Sequence, residues 1–283
     1  MNDIFSDPSL PVQIGYDAEE WRNFFSRYSQ IILVANSDEV DIDHLKKTSE
    51  EGVLFIFFNK VYKVLDGSFD RPAILVCRSG MMGANIVHRR EVPEVLKYFN
   101  RDTFLGIINI AISPEERFSP AEAFEGASVK HLHLGAVLSP FYPEKKLPTT
   151  GFGLALWLRG LGIPARIRLA GFSSRRSERW KVFDVHDWTF EQVALRLFHR
   201  SGDIELMPDP GTNPYIAFQN EFPQFSHMDI ALTANEVGSE RLMMVSSTVD
   251  RLMSVTKILR FLDNSFRKIR PKTRKQRFLQ RNK

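Results

Sequence analysis

The chain has 283 residues, 43% hydrophobic and 25% charged, enough for one large domain, or a domain with a modest subdomain, of enzyme size. A single cysteine, Cys77, excludes an internal disulfide, and its place in the apolar run Ala73 to Cys77 reads as a buried thiol in a reducing compartment. No apolar stretch approaches the roughly 18 residues of a membrane span, and Met1 to Pro8 carries Asp3 and Asp7 without a basic segment, so neither a span nor a secretion signal is expected. The net charge of +4 hides a division, because residues 264 to 283 hold nine Lys or Arg and no acid, leaving the body at −5.

In chain order, the pattern predicts a helix over Ala18 to Tyr28, then strands at Ile31 to Ala35, Val53 to Phe58 and Ala73 to Val76. A helix at Val92 to Tyr98 follows, then strands at Leu105 to Ile112 and Val129 to Leu134. Next come a helix at Gly151 to Leu161, a strand at Ala165 to Ala170 and a helix at Thr189 to His199, with Phe190, Val193, Ala194 and Leu197 on one apolar face. The strand runs lack strict alternation, as strands buried on both faces do, and helices lie between several of them. The fold class expected is therefore α/β: one Rossmann-like domain, mostly parallel, over residues 1 to 266. Residues 203 to 230 carry Pro208, Pro210, Gly211, Pro214 and Pro223 and read as an irregular excursion near a site or interface. A long helix follows, with Val245, Val249, Leu252, Thr256, Leu259, Leu262 and Phe266 on one face, ending at or before Pro271. The basic tail is set at 267 to 283.

Two segments carry chemistry. Pro148-Thr149-Thr150-Gly151 precedes a helix, and the strand after that helix ends in Gly171-Phe172. A threonine-rich turn at a helix start offers hydroxyls and free N–H groups to a phosphate, and it is equally the form of an ordinary N-cap. The second segment, His186-Asp187-Trp188-Thr189-Phe190-Glu191, sets a histidine just before a helix and a glutamate in its first turn. An imidazole there suits removal of a proton from a sugar hydroxyl, or serves as a structural histidine.

Taken together, Pro-Thr-Thr-Gly, a helix, a strand, Gly-Phe and a downstream His-x4-Glu resemble the small and very small sialylmotifs of sialyltransferases. Upstream, Ile31 to Ser37, then Val40-Asp41-Ile42-Asp43, then Phe57-Phe58-Asn59-Lys60 resemble the large sialylmotif. The resemblance covers residues 30 to 60 and 147 to 191. It implies a sialyltransferase-like variant of the α/β fold. It further implies that Asn36, Ser37 and Asn59 contact a CMP donor, that Thr149, Thr150 and Gly151 hold its ribose or phosphate, and that His186 is the general base. The His-Tyr-Tyr-like third motif and the paired cysteines of animal members have no counterpart, which points to a distant bacterial relative. Leaving-group assistance is unassigned by motif, although Arg175, Arg176, Arg179 and Lys181 lie in the intervening loop with charge to neutralise a phosphate, and Arg175 is taken as a donor-binding residue.

What the resemblance implies is inverting transfer of a 2-keto-3-deoxy sugar acid, Kdo in the first instance, from CMP to a lipopolysaccharide-core glycan. No cofactor or metal is expected. The basic tail would hold the enzyme on an anionic membrane, at the cytoplasmic face of the bacterial inner membrane. Nucleic acid is not an expected partner, because the body lacks a basic stripe interleaved with aromatics. Three alternatives stay open: a sialyltransferase acting on lipooligosaccharide or capsule, a metal-dependent nucleotide-diphosphate-sugar transferase, and a non-catalytic membrane-peripheral assembly protein. Asp41-Ile42-Asp43 has the Asp-x-Asp form of the second, His131 and His133 share a strand face, and Ser79 to Gly83 forms a turn after a strand.

Overall fold

A computed structural model describes residues 18–78, 85–113, 116–173, 184–208 and 214–256. The chain divides into two compact units, residues 1–210 and 211–283, where the sequence pattern suggests one domain over 1–266. The expected start of the tail at 267 and the loop with Arg175, Arg176, Arg179 and Lys181 lie outside the described residues, as does the turn Ser79 to Gly83.

The first unit is built on a sheet of seven strands, β1 (Gln30–Val34), β2 (Val53–Phe58), β3 (Ala73–Arg78), β4 (Phe104–Ala111), β5 (Val129–His133), β6 (Arg166–Ala170) and β7 (Glu205–Met207). Their spatial order is β5-β4-β3-β2-β1-β6-β7, and every neighbouring pair runs parallel. This is a Rossmann-like α/β arrangement. The six runs read from sequence are strands because both of their faces are covered. Along β1, Ile31 and Leu33 join one core while Ile32 and Val34 join the other.

The first core packs the sheet against α1 (Ala18–Phe25) and α5 (Thr150–Gly160), with Trp21, Phe25 and Trp157 at its centre. The second contains Leu45 of α2 (Ile42–Thr48) and Val92 and Val95 of α3 (Val92–Leu96). Cys77 is fully buried within it, and burial pushes its thiol well above the usual range. A one-turn helix, α4 (Gly135–Leu138), and α6 (Trp188–Arg200) are the other α-helices among the described residues of this unit.

Three expectations are corrected. The segment 203 to 230, read as irregular, contains β7 and an eight-residue helix, α7 (Pro214–Glu221). The apolar face expected for α6 is divided: Phe190 and Ala194 pack against the first core, and the other two residues do not. Val193 and Leu197 are 53% and 57% exposed, while Leu195 and Glu191 are buried, because α6 sits on the sheet through the side one residue round. The long C-terminal helix starts earlier than its apolar stripe and is described over His227–Val255 as α8, opened by a capping box of Ser226 and Asp229.

Candidate active site at the carboxyl edge of the sheet

The strand order reverses beside β1, whose neighbours are β2 and β6, so the crevice at the carboxyl ends of β1 and β6 is the topological switch point where such sheets take ligands. The residues following those strands are Ala35-Asn36-Ser37 and Gly171-Phe172. The two loops touch: a Cβ on Gly171 would lie 2.5 Å from Val40 Cγ2 and 2.9 Å from Ser37 Cβ. Glycine is required there twice over, because its φ is also +77°.

Two threads of contact join the residues singled out in sequence. In the first, Asn36 Nδ2 donates to the Phe58 carbonyl at 2.7 Å, the Phe58 ring meets Phe172 at 6.2 Å, and Phe172 lies against Gly151. A Cβ on Gly151 would stand 2.5 Å from the Phe172 ring, so the Gly of Pro-Thr-Thr-Gly and the Phe of Gly-Phe are a packed pair. In the second, Asn59, with φ +43°, accepts from the Arg78 N–H at 3.4 Å through Oδ1. Arg78 closes β3, donates to the Pro148 carbonyl at 3.2 Å, and pairs with Glu116 at 2.7 Å. Glu116 also accepts from the Ile112 N–H at 2.7 Å, fixing the loop after β4.

His186 stands at the end of this second thread. Its Nδ1 is 2.6 Å from the Leu147 carbonyl oxygen. A carbonyl only accepts, so Nδ1 carries the proton and Nε2 holds the lone pair. The ring packs edge-on against Trp188 at 5.3 Å. Burial lowers the imidazole pKa, the bond to Leu147 opposes that, and the positive charges of Arg78 and Lys146 add to it, so the net shift is downward. His186 is thus a neutral imidazole near pH 7, with Nε2 able to accept a proton.

Glu191 ties the two motif segments together. Only 3% exposed, it accepts from the Thr149 N–H at 2.7 Å, from the Thr149 hydroxyl at 2.7 Å and from the Tyr142 hydroxyl at 2.8 Å. Tyr142 in turn accepts from the Asp187 N–H at 3.1 Å. Burial raises the Glu191 pKa, and the bonds from Thr149 and Tyr142 only partly offset it. Thr149 is also the N-cap of α5, accepting from the Phe152 N–H at 3.2 Å, and Asp187 caps α6 in the same way at 2.9 Å. Both polar groups of Thr149 are therefore occupied. Within the Pro-Thr-Thr-Gly turn, the N–H groups of Thr150 and Gly151 have no acceptor inside the helix.

Ser37 forms a local turn, its hydroxyl accepting from the Glu39 N–H at 3.2 Å. Asp41, the first acid of Asp-Ile-Asp, is the N-cap of α2 and accepts from the His44 N–H at 2.9 Å. His131 is 8% exposed with its ring 4.6 Å from Phe118, and His133 accepts from the Gly135 N–H at 3.2 Å. Among the described residues, no three His, Cys, Asp or Glu gather as a metal set.

Sequence reasoning missed Arg78, Glu116 and Tyr142. Arg78 was the most accessible of them, a cation closing an otherwise apolar strand at the ligand-facing edge. It gave no role to Lys60, the last residue of Phe57-Phe58-Asn59-Lys60, which is 9% exposed just after β2 and whose ammonium pairs with Glu91 at 2.7 Å. Burial pulls the Lys60 pKa down, but hydrogen bonds to Glu91 and Tyr62 and their charges outweigh it and raise it.

Compared with known proteins, the chain matches no family model and no curated sequence.

Proposed function

We propose that the protein is an inverting glycosyltransferase that moves a 2-keto-3-deoxy sugar acid, Kdo in the first instance, from CMP to a lipopolysaccharide-core glycan at the cytoplasmic face of the bacterial inner membrane. The observation that carries the reading is the joining of two distant motif segments. Glu191 of His-x4-Glu clasps Thr149 of Pro-Thr-Thr-Gly, while His186 is held by Leu147 with Nε2 left as a proton acceptor. That is the arrangement an acceptor-activating base needs beside a donor seat.

In this reading the CMP lies over the crevice between β1 and β6, with Asn36, Asn59 and the free N–H groups of Thr150 and Gly151 as its contacts. Ser37 and Thr149 border the same seat, the Ser37 hydroxyl accepting from the Glu39 N–H with its own proton left to donate, and Thr149 held in place by Glu191. His186 Nε2 takes the proton of the acceptor hydroxyl as that oxygen bonds to the anomeric carbon. The bond from that carbon to the phosphate oxygen breaks, and CMP leaves with the electron pair. Arg78, fixed by Glu116 beside this site, offers positive charge to the departing phosphate. The basic tail carries the membrane attraction. Among the described residues no helix is long and apolar enough to cross a membrane.

The test is CMP release from CMP-Kdo with a short core oligosaccharide as acceptor and no added metal, with the product's anomeric configuration read by NMR. Inverted Kdo product supports the reading. CMP-sialic acid accepted in preference moves it to a sialyltransferase, and no release from either donor overturns it.

A further inference from the structure

In the unit after Pro210, no described residue of α7 or α8 is buried. Phe218, Phe222 and Phe225 cluster with ring centroids 4.8 and 6.0 Å apart, yet each is more than 40% exposed. On α8, Leu242, Val245, Val249 and Leu252 are 71%, 60%, 48% and 61% exposed. At helical spacing these four lie on one side, and Ser246, Ser247, Asp250, Arg251 and Ser254 lie on the other. At about 100° per residue the four fall within an arc of about 80° with Met253 beside it, while Met243 and Met244 stand 65% and 64% exposed elsewhere on the helix. Exposed apolar surface of this extent marks a binding face.

Charge identifies what covers it. Residues 257 to 283, which follow α8 directly, hold eleven Lys or Arg and one acid, Asp263. A second copy packed along α8 in parallel would set eleven further positive charges beside these, which disfavours it. An anionic lipid surface supplies both an apolar layer for the arc and the opposite charge for the basic segment. Among the described residues no helix is long and apolar enough to cross a bilayer, and a helix of that kind meets a membrane by lying along it.

We propose that α7 and α8 form an interfacial membrane anchor, with Phe218, Phe222, Phe225 and the Leu242–Val245–Val249–Leu252 arc set among the acyl chains of an anionic leaflet and the basic segment on its headgroups. Attachment thus has two parts. The basic segment supplies long-range attraction that salt screens, and the helices supply apolar burial that salt leaves intact. The inference shares only the membrane surface with the proposed function, and its test uses neither sugar nor nucleotide, so the two fail separately.

The full chain carrying Val249→Cys is labelled with an environment-sensitive fluorophore, Cys77 being fully buried. Vesicles of phosphatidylglycerol and phosphatidylethanolamine should shift its emission to the blue, and part of the shift should persist in 0.5 M salt. Neutral phosphatidylcholine vesicles should give a much smaller shift. With Val245→Ser and Leu252→Ser together, partition onto the anionic vesicles in 0.5 M salt should fall by about tenfold or more. An unshifted label on the anionic vesicles, or partition unchanged by the double substitution, overturns the proposal. A blue shift that arises without lipid and grows with protein concentration also overturns it, in favour of a second copy on the same face.

Discussion

At the carboxyl edge of the sheet a carboxylate is buried and three donors converge on it, whereas on α8 leucines and valines stand in solvent. The two regions invert the usual placement of polar and apolar groups for different physical reasons. Glu191 stays inside because every hydrogen bond it makes joins a segment that would otherwise be a separate loop: the Thr149 turn, the Tyr142 loop and its own helix. Burying a polar group is tolerable only when it is satisfied. Leu242, Val245 and Leu252 stay outside, with no described residue of α7 or α8 buried beside them. A self-contained site and a surface completed by a partner are thus distinguished by which kind of group is out of place.

The comparison breaks most readily at His186. If the carboxyl edge is a catalytic site, His186→Ala lowers transfer by about 10² to 10⁴-fold with CMP affinity nearly unchanged, because a base acts only in the transition state. A variant that unfolds or loses CMP affinity to the same degree would make His186 a structural or donor-binding residue.

Next in size is the clasp. Glu191→Ala strands the Thr149 N–H and the Thr149 hydroxyl, while the Tyr142 hydroxyl keeps the Leu147 carbonyl at 3.3 Å, and should cost about 2 to 4 kcal/mol in denaturant unfolding. Glu191→Gln keeps a carbonyl acceptor and should recover part of that. A loss below about 0.5 kcal/mol for the alanine variant would mean that the loops are held by packing alone.

Both motif segments were legible in sequence, but the clasp between them was not. Asn36, Asn59, Gly151 and His186 were singled out because each sits in a local pattern of residue types. Arg78 and Glu116 are 38 residues apart, and Tyr142 and Glu191 are 49 apart, so no spacing rule couples them. They meet only because β3, β4 and the loops before α5 and α6 converge. The strands tell the same story. β1 to β6 were readable because burial on both faces makes continuous apolar runs. β7, three half-buried residues at the sheet edge behind a proline-rich segment, leaves no such run. The polar helix α2, with only Leu45 buried, was missed likewise. On α6 the apolar stripe was real but faces an open groove of about 530 Å³ shared with Val137 and Phe141.

Smaller effects come from pH, and the two buried groups pull in opposite directions. His186 has a folded pKa below its ordinary 6.5, so its contribution to stability is present above about pH 6.5 and is lost as pH falls through the lowered value. Glu191 has a folded pKa above its ordinary 4.5, so its contribution is present below about pH 4.5 and is lost as pH rises through the raised value. In unfolding measured across this range, His186→Gln should remove the acid-side loss and Glu191→Gln the loss at higher pH. Slopes that survive both substitutions would place the titration elsewhere.

The smallest effect sharpens the contrast from the other side. Val245→Ser with Leu252→Ser should leave lipid-free unfolding within about 0.5 kcal/mol of the parent, since both side chains are already in solvent. A larger loss would mean that α8 is packed in solution.

The central claim is that the crevice between β1 and β6 is a CMP seat, and thermal unfolding with a panel of nucleotides tests it most directly. A ligand that binds only the native state stabilises it by about 2.7 kcal/mol at 100 times its Kd. CMP or CTP should raise the melting temperature without added metal, while UDP, GDP and NAD leave it unchanged. Preferential stabilisation by UDP with manganese, or no response to any cytidine nucleotide, would contradict it.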